Sequence, residues 1–376
     1  ESIENQWDPS FVGMTKLLYF QLMANYGHSK KILILLISIL IFGCKSIQVS
    51  QSNHFKLNFL SEYILPANTV VDKTQIGGLS GIDFYNGTYY LVCDDAGNPR
   101  FYKATIDIEN NKISNVHIEK VIKIKNNPDF LDLESIRIGK NTNQILLTSE
   151  GSIRNKKNPS FFSVNLEGEL QERFKIPDAF KAGSPDKPRD NATLEGLSNS
   201  SDNKGYWVAM ELPLEVDGPE PQLTNTKSPV RITYIGLKTK RPEKQFAYFL
   251  DPVAKKAVGN FSINGLSDLL EYDTNKFLVI ERSYSSGLGT QGNTIKLYKG
   301  DAANATNTLK IKSLKNSNFV PAKKELLFDF EDVRNQLTNN SIDNIEGITF
   351  GPLLSNGHKS LILISDNNFN TLGPQL

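Results

Sequence analysis

The chain has 376 residues, with 42 Lys and Arg against 41 Asp and Glu, for a formal net charge of +1. That balance leaves no overall field to gather nucleic acid or an anionic membrane, so function must reside in a local site. The two cysteines, Cys44 and Cys93, exclude a disulfide framework, and the length suffices for a large core in one or two domains.

In chain order, the first element is an address. Lys30 and Lys31 precede an apolar run over residues 32–42, followed by Gly43 and Cys44. A basic start, a short apolar run and a small residue before cysteine make a secretory signal. The run is too short to span a bilayer comfortably, which takes about 20 residues. Residues 41–44 (Ile-Phe-Gly-Cys) resemble a bacterial lipobox, which implies cleavage before Cys44 and lipidation of its thiol. A plain signal peptide and an uncleaved anchor are the alternatives. Met23 is the expected start, with residues 1–22 upstream of it, 23–43 the signal and 44–54 a polar tether. The expected location is the cell envelope, held by lipid alone and facing the periplasm or the outside; plain secretion is the alternative.

From residue 55 onward the sequence repeats. A four-residue motif occurs five times: Leu79-Ser80-Gly81-Ile82, Leu133-Glu134-Ser135-Ile136, Leu194-Glu195-Gly196-Leu197, Leu266-Ser267-Asp268-Leu269 and Ile345-Glu346-Gly347-Ile348. Each is followed by an apolar strand that ends in an acid, over residues 90–95, 145–150, 207–211, 277–281 and 361–366. Two further strands fit most units: 101–107 and 117–125, 161–166 and 170–176, 230–237 and 245–251, 294–299 and 325–330. Short strands at this spacing, broken by Gly, Asn and Pro, give an all-β fold, a β-propeller of four-stranded blades over residues 55–376. Five blades are expected, or six if residues 300–324, strand-like at 308–314, hold another. An N-terminal strand at 55–65 is expected to complete the last blade and close the ring, and the last blade's third strand is expected to be lacking.

In such a blade the first strand lines the central channel and the second returns antiparallel to it. The motif residue and the terminal acid therefore meet at one mouth. This brings Glu134, Glu195 and Glu346 toward Asp95, Glu150, Glu211, Glu281 and Asp366, with Ser80 and Ser267 at the motif position of the other two units. Crowded carboxylates need raised pKa values, basic partners or a bound cation. Arg100, Arg137, Arg154 and Arg282 lie next to these acids in sequence, and Asn98, Asn191, Asn344, Asn367 and Asn368 add neutral oxygens. An oxygen-rich set with scattered histidines suits Ca²⁺ or another hard divalent cation rather than zinc.

Taken together, Gly77-Gly78-Leu79-Ser80-Gly81-Ile82, Asp132-Leu133-Glu134-Ser135-Ile136, residues 191–197 (NATLEGL), Glu281-Arg282-Ser283-Tyr284, Asp343-Asn344-Ile345-Glu346-Gly347 and Ser365-Asp366-Asn367-Asn368-Phe369 resemble the phytase-like family, described by an esterase-like activity. The likeness covers about residues 57–376, and it implies a propeller with metal-dependent phosphoester chemistry. On that reading Glu134, Glu195, Glu346, Asp95, Glu211, Glu281 and Asp366 ligate the metal. Glu195 or Glu346 acts as general acid or base, and Arg100, Arg282 and Arg137 bind the phosphate of a small phosphorylated substrate, in a monomer that binds no nucleic acid. The rival expectation is a non-catalytic surface propeller with a structural cation. Serine esterase chemistry is disfavoured, because Gly78-Leu79-Ser80-Gly81 breaks the spacing of a nucleophile elbow.

Overall fold

The computed structural model describes residues 55–369. The signal, lipobox, Cys44 and tether expected from the sequence, and residues 370–376, lie outside the described residues. A small hairpin, β1 (Val70–Val71) and β2 (Thr74–Gln75), precedes the first large sheet. Four four-stranded antiparallel sheets follow, each with its strands in sequence order. Blade one is β3 (Leu79–Tyr85), β4 (Thr88–Cys93), β5 (Arg100–Glu109) and β6 (Lys112–Lys123). Blade two is β7 (Leu133–Ile138), β8 (Ile145–Ser149), β9 (Ser160–Val164) and β10 (Leu170–Phe174). Blade three is β11 (Leu194–Asn199), β12 (Gly205–Met210), β13 (Ser228–Gly236) and β14 (Pro242–Leu250). Blade four is β15 (Ser262–Asp273), β16 (Lys276–Ser285), β17 (Asn293–Asp301) and β18 (Lys323–Asp329). The fifth unit is a two-stranded sheet, β19 (Ile345–Leu353) and β20 (Lys359–Ser365).

The first strands form the ring. β3 packs against β7 and β19, β7 against β11, β11 against β15, and β15 against β19. Burial follows that geometry: β7 is buried along its whole length, whereas β6 at the outer edge is mostly exposed. The blades pack face to face through large side chains. Trp207 of β12 stands edge-on to Tyr234 and Phe246 of its own blade and to Phe277 of the next. The many asparagines have a local cause. Asn86-Gly87 and Asn110-Asn111 form two-residue hairpins with positive φ at both positions, where asparagine and glycine cost least.

Two expectations are corrected. Among the described residues there are four four-stranded blades, not five or six: the fifth repeat supplies two strands, and residues 366–369 turn rather than extend, with positive φ at Asn368 and Phe369. Residues 302–322 form no extra blade. They cross to blade three, where Arg231 binds Asp217 through two nitrogens at 2.6 and 2.8 Å and donates to Ile311 O, while Leu314 N donates to Asp217. The second correction concerns residues 55–64, which form no strand. Two of their side chains tie the segment down instead: Ser61 Oγ accepts from Ile113 N, and Glu62 accepts from Thr338 N.

Candidate functional site

Each first strand carries a β-bulge at the repeated motif. The ladder register shifts between Leu79 and Gly81, Leu133 and Ile136, Leu194 and Gly196, Leu266 and Asp268, and Ile345 and Gly347. A bulge inserts an unpaired residue and re-aims its side chain. The residues within the bulges include Ser80, Glu134, Glu195, Ser267 and Glu346, the motif positions themselves.

The partner positions follow from the ladder. Backbone N–H groups of Asp94, Glu150, Glu211 and Asp366 donate to the carbonyls of Gly78, Asp132, Thr193 and Asn344, and in blade four the residue opposite Gly265 is Arg282. One ring position is thus filled by Asp94, Glu150, Glu211, Arg282 and Asp366. Blade two adds Asp132, two residues before Glu134. Eight carboxylates and one guanidinium therefore meet at this mouth.

Their electrostatics show the crowding. Burial, then Glu195, Glu150, Glu346 and Asp94, push Glu134 well above the ordinary carboxylate range. Burial, then Glu211, Glu150 and Glu346, do the same to Glu195, and burial, then Glu211 and Asp132, to Glu150. Burial lifts Glu346 to about 8 and Glu211 to about 7, with Arg282 opposing the rise in both. Burial and Asp94 raise Asp366 to about 7, and burial leads in raising Asp94 and Asp132 to about 6. Arg282 sits between two acids, 3.5 Å from each of Glu211 and Glu346.

Away from Arg282, Asp132, Glu134 and Glu150 each offer an oxygen, all within 4.8 Å of one another. Ca²⁺–oxygen bonds run about 2.3–2.6 Å, so two ligands of one ion stand up to about 5 Å apart. The three carboxylates fit that spacing with hard donors only, and a divalent cation there would offset their mutual repulsion.

The structure brings Glu134, Glu195, Glu211, Glu346, Asp366 and Arg282 together, and places Asp95, Glu281, Arg100 and Arg137 elsewhere. Asp95 leaves the ring position to Asp94 and pairs with Arg100 at 2.7 Å. Arg100 is 2% exposed and spent on that contact, on Asn98 O and on the Tyr102 hydroxyl. Glu281 opposes Leu266 in the ladder, so its side chain leaves the sheet on the other side from that of Arg282. It accepts from Tyr248 Oη, Asp251 N and Asn264 Nδ2 and pairs with Lys324.

Arg137 lies deeper on the ring axis, 1% exposed, paired with Asp268 at 2.7 Å. It also donates to Ile82 O, Ile136 O and Leu269 O. Asp268 accepts in addition from Ser135 Oγ, Leu197 N, Leu269 N and Ile348 N. This one pair touches all five inner strands and fills the axis beneath the carboxylates, so the site is a cup rather than a through-channel. The site residues missed by sequence reasoning are Asp94, adjacent to the expected Asp95, and Asp132, two residues before Glu134.

The Gly-Gly and Asp-Asn-Asn-Phe segments join blade one to the fifth sheet at the rim. Asn367 Oδ1 accepts from Gly78 N at 3.0 Å, and Asp366 Oδ1 accepts from Asn368 N. Gly78 has φ +60°, and a Cβ there would lie 2.1 Å from Asp94 Oδ1 and 2.4 Å from the Phe369 ring.

A family model described as "Phytase-like: Esterase-like activity of phytase" matches residues 74–369. No curated protein matches the chain. Among solved structures, the chain is similar to hydrazine synthase of Kuenenia stuttgartiensis, at 11% identity and a TM-score of 0.35, over 86% of this chain and 81% of that one. It is also similar to a duf4221 family member from Bacteroides vulgatus, at 11% identity and TM-score 0.35 over 78% and 89% of the two chains. The Dos1 propeller is similar at 9% identity and TM-score 0.34, over 77% of this chain and 66% of the other. Likenesses this remote say nothing of function.

Proposed function

We propose, for a chain that belongs to the phytase-like family, that the cup is the active site of a metal-dependent phosphoric ester hydrolase. The observation that carries this reading is the convergence of eight carboxylates and a single arginine on one mouth, from bulges and strand ends of every repeat. A buried excess of acids is costly unless protons or cations offset it. A phosphoester hydrolase uses both.

Asp132, Glu134 and Glu150 would hold the cation, Ca²⁺ by the hardness of the donors. When bound, it supplies charge to a phosphoryl oxygen and lowers the pKa of a water. Arg282, held between Glu211 and Glu346, neutralises phosphate charge. Glu346, with its carboxyl lifted to about 8, keeps a proton at neutral pH and delivers it to the leaving oxygen. Glu195, raised by burial and by its acidic neighbours, is the second proton carrier. The substrate is a small phosphorylated molecule that enters from the rim, and the enzyme works as a monomer at the cell envelope.

Hydrolysis of phosphomonoesters and phosphodiesters, measured with and without chelator, tests this. Activity is expected to vanish on chelation, to return with Ca²⁺, and to fall at least 100-fold in Glu195→Gln plus Glu346→Gln, since each acid–base group contributes about 100-fold or more. Unchanged hydrolysis in the double variant would overturn the proposal. The three-carboxylate group in blade two also supports a second reading, a binding propeller with a structural cation. In that case chelation lowers the melting temperature and no ester is turned over.

A further inference from the structure

The two serines of the motif are not equivalent. Ser80 Oγ donates to Leu133 O of the next blade at 3.0 Å. Ser267, 4% exposed, has no hydrogen-bond partner for its Oγ. On the neighbouring strand of the same blade Arg282, opposite Gly265, likewise leaves Nε buried and unpaired, and its two carboxylate contacts are long at 3.5 Å. Buried donors are nearly always satisfied, so two orphans on one blade point to a missing acceptor.

Strand register places the two at equivalent positions to a pair already seen in blade two. Ser267 lies in the bulge between Leu266 and Asp268, and Arg282 opposes Gly265. The same two positions in blade two are Glu134 and Glu150, whose oxygens come within 4.8 Å of each other. Blade four therefore repeats the acid pair of blade two with a hydroxyl and a guanidinium, two donors in place of two acceptors.

We infer that Ser267 and Arg282 form a seat for a tetrahedral oxyanion, the phosphoryl group of the substrate, set in a different blade from the three-carboxylate cation seat. The inference rests on the phosphoester reading and deepens it by giving the cup a polarity, with cation on blade two and oxyanion on blade four. The serine hydroxyl and the guanidinium Nε each donate to a phosphoryl oxygen. Glu211 and Glu346 flank this seat, each 3.5 Å from Arg282.

Calorimetric titration of inorganic phosphate into the full chain, with Ca²⁺ present, tests the seat. The wild type is expected to bind one phosphate. Ser267→Ala should weaken binding about tenfold and Arg282→Gln about 100-fold, as lost charge-assisted hydrogen bonds do. Arg282→Lys should fall between wild type and Arg282→Gln, since it keeps charge but loses the fork. Each variant should keep a cooperative thermal transition and saturable Ca²⁺ binding, which shows that the cup is folded and its cation seat intact. Wild-type phosphate affinity in both Ser267→Ala and Arg282→Gln, or no phosphate binding by the wild type, would overturn the inference. Phosphate binding that follows this pattern without turnover of any ester would instead leave the seat standing and remove the hydrolase reading.

Discussion

At the scale of single residues, the site is defined by which of two adjacent side chains faces the cup. The two-residue turn at Asn86-Gly87 pairs Tyr85 with Thr88, and counting outward reaches Gly81 opposite Val92. One bulged residue then places Leu79 opposite Cys93, and Asp94 rather than Asp95 next to Gly78. The carboxylate positions were therefore legible in the sequence to within one residue, and the bulge, which the sequence does not announce, decides the rest. The same slip separates Glu281 from Arg282, and it turns an expected acid of the ring into its one cation. A pH dependence follows. Glu346, Glu211 and Asp366 keep their protons to about 8, 7 and 7 when folded, well above the unfolded carboxylate range near 4. Between those limits the folded chain binds more protons than the unfolded one, so stability falls as pH rises. Without divalent cations the melting temperature should decline from pH 5 to pH 8 and level off above it, and saturating Ca²⁺ should flatten that decline. A calorimetric scan across pH, with and without Ca²⁺, checks both.

At the scale of elements, local pattern and pairing part company. Strand-like composition at 55–65 and 308–314 was legible, but a strand exists only where a neighbouring edge takes its hydrogen bonds. Residues 308–314 find Arg231 and Asp217 instead, and in residues 55–64 the Ser61 and Glu62 side chains accept from the backbone of Ile113 on β6 and of Thr338. The repeated inner pairs, by contrast, were readable because motif and following strand recur together five times. The rim element joining the fifth sheet to blade one depends on Gly78, whose positive φ and lack of a Cβ let Asp94 and Phe369 close over it. Gly78→Ala should cost about 1–3 kcal/mol through backbone strain and the displaced Phe369. Urea unfolding of this variant measures that cost, and a loss below about 0.5 kcal/mol would show that the close approach carries no weight.

At the scale of the whole molecule, a ring of sheets needs something on its axis. Here the Arg137–Asp268 pair reaches backbone or side-chain groups of all five inner strands. The pairing was invisible in the sequence because its two members lie 131 residues apart, Asp268 within the fourth motif and Arg137 directly after the second, where it read as a phosphate-binding group. Asp268→Asn should destabilise by about 3–5 kcal/mol, since it strands a guanidinium that is 1% exposed, and Arg137→Met with Asp268→Leu together should cost less than the sum of the single changes. Denaturant unfolding of the three variants measures the coupling. Above this plug the cup gathers its acids. Of these, Asp132, Glu134 and Glu150 are the proposed seat of a hard cation. Titration of Ca²⁺ into the protein at pH 7, repeated in buffers of different ionisation enthalpy, tests it most directly. Saturable binding that releases protons, and is lost in Glu134→Gln plus Glu150→Gln, is the expected result. Absence of binding, or binding that survives both substitutions unchanged, would contradict it.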